Sequence, residues 1–401
     1  MSSARSFLMT WAALALACGD DAPAEDETSG AATTTVSTSS VSTSGGPSTV
    51  TDTPDSSGPG STGVADESSS AGAGTSDDST GAPVGVLEIY WIDTEGGAAT
   101  LMVTPDGTIV LVDAGFPGDR DADRIAAIVQ DELGADAIDL CIVTHYHLDH
   151  VGGVPDLVER VPIEAFWDHG DSVEAGGGQG LELWQDYLAV ADGKRTTMVP
   201  GEVHDVGGLE LTIVAAARDV LDAPLPGAGA NNPACDGAGQ MGPDTTENAS
   251  SLGFVARFGE FTFLDLGDLT WSYEHELACR LQKIGQVDLY QTTHHGMDIS
   301  GAPQLVHALD PRVVVMNNGA RKGGASISFE RLAGIPSMPE LWQQHRALDN
   351  DDAHNAPEER IANLVDGDGD LGYAIHARID AAGTITMTNL RNGHTTDYPP
   401  G

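Results

Sequence analysis

Residues 141–153 read CIVTHYHLDHVGG. An apolar run that stops abruptly at polar residues is the pattern of a buried strand ending in a loop. Within six positions that loop carries His145, His147, Asp149 and His150. Neutral imidazole and carboxylate are ligands for zinc, iron or manganese, and two histidines two apart can converge on one ion while Asp149 and His150 turn toward a second. The carboxyl end of a buried strand is also where α/β folds usually keep their sites.

Working outward, the elements on either side support an α/β reading. VLEIYWIDT, ATLMVT and TIVLVDAG are three successive strands, with PDG marking the turn between the second and third. DRDADRIAAIVQDELG places Ile125, Ala126, Ile128, Val129 and Leu133 on one helical face, and Gly134 ends it. IDLCIVTH follows as the buried strand. GGVPDLVERV, AFWDHG, LELWQDYLAVADG and GGLELTIVAAA continue the alternation.

After a loop rich in Gly, Pro and Asn at residues 222–248, a second half repeats the order. SSLGFVARFGEFTFLDLGD is a hairpin turning at Gly259, SYEHELACRLQKIG a helix, VDLYQTTHHG a strand ending in a histidine pair, and RVVVMNNG another strand. Two halves, each running from strands through a helix to a buried strand that ends in His, predict a duplicated α/β sandwich with both sheets inside and helices outside. LGYAIHARIDAAGTITMTNLRNG is a terminal hairpin; residues 320–370 show little regular pattern beyond PEERIANL.

The 401-residue chain has a formal net charge of −43. Its first 18 residues, with one positive charge, a short apolar run and small residues before Cys18, read as an export signal with a lipobox-like LALAC step, although Ala15 stands where leucine is usual. The expectation is a lipid-anchored protein of a bacterial cell envelope, against an ordinary secretory signal with an incidental cysteine. Residues 19–85 are Ser, Thr, Gly, Ala, Pro and acid, too poor in apolar surface to offset chain entropy, and read as a disordered tether. Residues 86–401 are the expected catalytic domain. With the eleven acids of the tether and Arg5 set aside, 50 acidic and 17 basic residues remain. Such a field repels long polyanions, so no stable nucleic-acid partner is expected. Cys141 lies in the apolar run and reads as a packing residue; Cys235 and Cys279 can pair or stand free.

HYHLDHVGG resembles the HxHxDH signature of the metallo-β-lactamase superfamily. The resemblance implies a four-layer αββα sandwich holding one or two divalent metal ions, with zinc first and manganese or iron as alternatives. LVDAG is similar to the family's first motif, implying that Asp113 orients the metal loop. LDLGD is similar to the segment that supplies a bridging aspartate, here Asp268. A narrower likeness, carried by WIDTEGGAATLM, ENASSLGFVARFGEFTFLDLGD and TTHHGM, is to the ComEC-type branch of DNA-uptake proteins and phosphorylcholine esterases. In most of the superfamily a third histidine for the first metal falls where this chain has Asn248. The resemblance thus implies His145, His147 and Asp268 at metal one, and Asp149, His150, Asp268 and His295 at metal two. His294 would face the substrate, and Asp149, Asp268 and His294 would carry the catalytic roles. The branch's HHGS is HHGM here and its DVGQGD is DTEGGA, so a hydroxyl and a carboxylate at the rim are missing.

His169 reads as a surface loop histidine or a rim contact, His204 as surface. Arg321 and Lys322 read as a solvated basic pair or as a grip for phosphate. The functional expectation is a hydrolase using a metal-activated water on a phosphodiester or phosphorylated small molecule. Two alternatives stand beside it: a lactone, amide or thioester hydrolase, and a cell-surface binding protein that keeps the metals for structure.

Overall fold

The computed structural model describes residues 85–401 apart from 237, 238 and 240. The export segment and nearly all of the tether therefore lie outside the described residues. Among those described, no helix is long and apolar enough to cross a membrane.

Six strands open the domain: β1 Leu87–Trp91, β2 Thr100–Val103, β3 Ile109–Val112, β4 Ile138–Ile142, β5 Ile163–Asp168 and β6 Arg195–Thr197. Nine follow: β7 Val203–Val206, β8 Leu209–Ala216, β9 Asp219–Val220, β10 Gly253–Phe258, β11 Phe261–Asp265, β12 Leu289–Gln291, β13 Val313–Met316, β14 Glu340–His345 and β15 Ile361–Asn363. The chain ends on β16 Ile375–Ile379, β17 Ile385–Asn389 and β18 Thr395–Tyr398. One sheet runs β18-β17-β16-β1-β2-β3-β4-β5-β6, the other β15-β14-β13-β12-β11-β10-β8-β7 with β9 beside β8.

Strands β3 to β6 are mutually parallel, as are β11 to β15. Parallel neighbours need crossover connections, and the helices supply them: α1 Asp119–Ala127, α2 Val154–Val158 and α3 Gly178–Ala191 in the first half, α4 Trp271–Ala278, α5 Pro303–Leu309 and α6 Ser326–Ala333 in the second. Because both faces of each sheet are covered, IVLV of β3 is buried at every position rather than alternating.

Three apolar layers result. Trp91, Ile142, Phe254, Phe263 and Trp342 fill the space between the sheets. Leu111, Ile125, Val129, Leu157 and Tyr187 join the first sheet to its helices, and Leu264, Leu277, Tyr290, Leu305 and Phe329 do the same for the second. Three layers between four tiers of structure make the αββα sandwich expected from the alternation of elements.

One region departs from the sequence reading. Residues 320–370 hold α6, β14 and β15, and β14 lies within the second sheet with Trp342 fully buried. Its sequence, ELWQQH, has too few apolar residues to signal a central strand: Gln343, Gln344 and His345 are all buried, with the Gln343 side chain bonded to Asn355 and Ala356 and His345 Nε2 to Asp93. The terminal hairpin completes the first sheet, β16 pairing with β1 from Leu87↔Ile379 to Trp91↔Ile375. Cys235 and Cys279 form a disulfide, and Cys141 is free and buried.

Candidate metal centre

Every expected site residue follows the carboxyl end of a strand at one edge of the sandwich. Asp113 follows β3, His145 to His150 follow β4, Asp268 follows β11, and His294 and His295 follow β12. The parallel strands end together, so loops far apart in sequence converge there.

Asp113 organises the first loop from a left-handed backbone position (φ 58°). Its Oδ1 accepts the N–H of Thr144 (2.8 Å), and its Oδ2 accepts the Thr144 hydroxyl (2.7 Å) and His150 Nδ1 (2.7 Å). The Thr144 oxygen in turn receives His145 Nδ1 at 3.1 Å. Gly153 is required at the loop exit, since a Cβ there would run into the Ala114 carbonyl oxygen.

The second half contributes a strained turn. His294 (φ 55°, ψ 46°) and His295 (φ 55°, ψ 17°) both adopt left-handed geometry, which costs roughly 1–2 kcal/mol per non-glycine residue. Such strain persists only where surrounding contacts over-determine it. His294 Nδ1 donates to Ser300 Oγ (3.1 Å), which donates to the Leu269 carbonyl (3.0 Å), and His295 Nδ1 donates to the Asn317 carbonyl (3.2 Å). Gly323 packs so closely on His295 that a side chain there would meet its carbonyl oxygen.

With their Nδ1 atoms engaged, all four imidazoles turn Nε2 toward Asp268. Its Oδ2 lies 3.2 Å from His150, 3.3 Å from His294 and 3.9 Å from His145, and its Oδ1 lies 3.4 Å from His295. His150 Nε2 and His295 Nε2 face each other at 3.1 Å, and Asp149 Oδ2 stands 3.5 and 3.3 Å from them. Ligand atoms of Asp149, His150, Asp268 and His295 all lie within 4.8 Å of one another.

The charges state what this pocket lacks. Burial pushes His294 down to about 4, and burial with the neighbouring His150 and His147 pushes His145 well below the ordinary range, so both are neutral at pH 7. At His150 burial is overcome by the carboxylates of Asp268, Asp149 and Asp113, which raise it well above its ordinary value. Burial is likewise overcome at Asp149 and Asp268, both held well below the usual carboxylate range by the surrounding histidines. Among the described residues, His145 Nε2 is buried with no hydrogen-bond partner. Converging lone pairs, an orphaned imidazole nitrogen and a surplus of carboxylate fit a divalent cation.

His147 stands apart from this group. It is 30% exposed, its ring lies against that of His145 at 4.7 Å, and its Nε2 faces Glu174 Oε2 at 3.5 Å. His169 is buried rather than on the surface, with Nε2 3.0 Å from Glu247 Oε2. The sequence hid this because its partner lies 78 residues away. His204 is half-buried on β7 against Trp167. The basic pair divides: Arg321 is exposed between Asp349 and Asp366, whereas Lys322 reaches the site, contacting Asp149 and donating to the Gly96 carbonyl at 2.7 Å.

Sequence reasoning missed a second cluster beneath the rim. His345 Nε2 meets Asp93 Oδ1 at 2.6 Å, and Arg124 bridges Asp93 Oδ2 (2.7 Å) and Asp370 Oδ2 (2.9 Å). It anchors the segment leading to Gly96.

Residues 93–217 match the model of the Metallo-beta-lactamase superfamily, a span that includes His145 to His150 and ends before Asp268. No curated protein matches the chain. Among solved structures it is similar to the metallo-beta-lactamase fold protein YhfI from Bacillus subtilis, at 12% identity over 64% of this chain and 96% of that one, with a TM-score of 0.41. It is also similar to CmlA, a diiron beta-hydroxylase from Streptomyces venezuelae, at 19% identity over 58% of this chain and 44% of that one, with a TM-score of 0.35. A metallo-beta-lactamase from Cronobacter sakazakii with a HARLDQ motif is similar at 17% identity over 45% and 61% of the two chains, with a TM-score of 0.30. Residues 93–217 thus match a metallo-β-lactamase superfamily domain, and the candidate His/Asp metal site lies in a mixed α/β two-sheet sandwich consistent with that fold.

Proposed function

We propose that this protein is an exported metal-dependent hydrolase acting on a phosphodiester or phosphorylated small molecule. One observation carries the reading: the Asp268 carboxylate set among the Nε2 atoms of His145, His150, His294 and His295, with Asp149 beside them. Asp149, His150, Asp268 and His295 would hold one ion, and His145 and His147 with Asp268 would hold the other. Divalent metal in such a pocket supplies Lewis acidity and lowers the pKa of a water toward neutrality.

The chain's own residues do the rest. Asp113 and the Asn317 carbonyl fix the rings of His150 and His295 through Nδ1, so that Nε2 is the atom each would offer to a metal. His294, neutral and held by Ser300, sets its Nε2 3.3 Å from Asp268 Oδ2 and would hold a substrate oxygen or pass a proton. Lys322 is the cation at the mouth of a strongly acidic protein, and it is placed to receive an anionic group of the substrate. The ComEC-type motifs motivate phosphorus as the reacting centre.

The disulfide between Cys235 and Cys279 supports the exported reading, because such bonds persist mainly in oxidising compartments. The lipid anchor on Cys18 remains part of the same proposal. The test is turnover by the full chain loaded with zinc or manganese, comparing bis-nitrophenyl phosphate with a lactone panel. Phosphodiester turnover, with Lys322→Gln raising KM about tenfold at unchanged metal content, is the expected result. Turnover of lactones alone would move the chain to the alternative hydrolase class.

A further inference from the structure

Two histidines of the expected first metal position are served differently from the rest of the pocket. His145 Nε2 is buried without a hydrogen-bond partner among the described residues, and its ring lies against that of His147. His147 Nε2 faces a carboxylate that no motif predicted, Glu174 Oε2 at 3.5 Å. Glu174 is anchored there by its other carboxylate oxygen. Its Oε1 accepts the backbone N–H of Glu247 at 3.1 Å.

Glu247 in turn straps the whole segment after β5 into place. Its Oε1 accepts the Ser172 hydroxyl (2.5 Å) and the Val173 N–H (2.6 Å), and its Oε2 meets His169 Nε2 (3.0 Å). The side chain of Glu247 is fully buried, so these partners satisfy a carboxylate that would otherwise be costly to bury. The residue that follows it is Asn248, where the resemblance expects the third histidine, and Asn248 Oδ1 is itself buried without a partner among the described residues. The chain therefore lacks the imidazole at that point, but anchors a carboxylate from another loop through the neighbouring backbone.

We infer that Glu174 is a metal ligand, completing with His145 and His147 a first metal position that shares Asp268 with the second. The inference rests on the metal-centre reading above. A carboxylate in place of imidazole makes this position harder and more negative, which shifts its preference from zinc toward manganese or iron. It also leaves the position open, since Glu174 and His147 are both partly exposed.

The test is metal binding by the full chain, read by plasma mass spectrometry after loading with Mn(II) or Zn(II) and desalting, and by calorimetric titration of the metal-free protein. Wild type is expected to take two ions and Glu174→Gln to keep the one at Asp149, His150 and His295, the position at His145 and His147 being weakened at least about tenfold. Gln retains the Oε1 acceptor for Glu247, and an unchanged melting temperature of the metal-free protein shows that the loop still folds. Glu174→His is expected to restore the second ion with a preference moved toward zinc. Two ions at wild-type affinity in Glu174→Gln would overturn the inference and leave the centre standing, provided Asp268→Asn loses metal in the same experiment. No metal in wild type would bring down both.

Discussion

Two buried clusters in this protein are built from the same side chains and differ in what neutralises them. Asp149, His150, Asp268 and His295 present ligand atoms within 4.8 Å of one another, and so do Asp93, His345 and Asp370. In the second cluster Arg124 lies between the two carboxylates, bonded to each and only 17% exposed, so its positive charge is internal and permanent. Among the described residues the first has no such guanidinium; Lys322 touches Asp149 from the partly exposed mouth, and a proton is drawn onto His150 instead. Proximity of His and Asp therefore does not define a metal site. The unmet demand for positive charge does.

The comparison breaks most clearly at Asp268. Asp268→Asn should remove metal from the purified protein and lower any phosphodiester turnover by about 10³-fold, measured by plasma mass spectrometry and steady-state kinetics. Retained metal would mean that the first cluster is no more a cation site than the second.

Arg124→Met should have the complementary effect. It leaves two carboxylates without their counter-ion and is expected to cost about 3 kcal/mol in urea unfolding, while metal content stays at the wild-type level. A fall in metal content instead would show that the Arg124 cluster positions the centre as well as the fold.

Asp113→Asn sharpens the contrast within the first cluster. It keeps every ligand but disturbs the acceptors for Thr144 and His150, so metal affinity should fall about 10–100-fold by titration with little change in secondary structure by circular dichroism.

The smallest effect is an acid limb. Burial raises the Asp93 carboxyl, but the hydrogen bond and charge of His345 outweigh it and hold the group at about 2. A depressed folded-state pKa contributes stability that is present above about 4 and lost as the pH falls toward 2. Asp93→Asn should make that limb shallower in pH-dependent unfolding, and an unchanged limb would remove Asp93 from the account of acid stability.

How much of this was legible in the chain follows from how far apart the partners are. Four candidate ligands within six residues, behind a buried strand, can be read without a fold, because strand and loop alone carry them to one edge. Asp113, Asp268 and the histidine pair were reached through motifs, each local to a strand end. Glu174 and the Glu247 backbone are 73 residues apart, and Asp93 and His345 are 252 apart. Neither pair leaves a pattern in the linear order, since each side chain alone resembles a solvated polar residue.

Periodicity and contiguity, which are properties of neighbouring residues, were enough to determine the α/β sandwich and the candidate metal-binding loop, and composition gave the acidic character. Only the packed structure decided which histidines present a free Nε2, that Lys322 rather than Arg321 reaches the site, that His169 is buried, and that Glu174 faces His147. Those outcomes depend on hydrogen bonds and charges between separate strand ends, and such interactions come into being only when two sheets close on a common core.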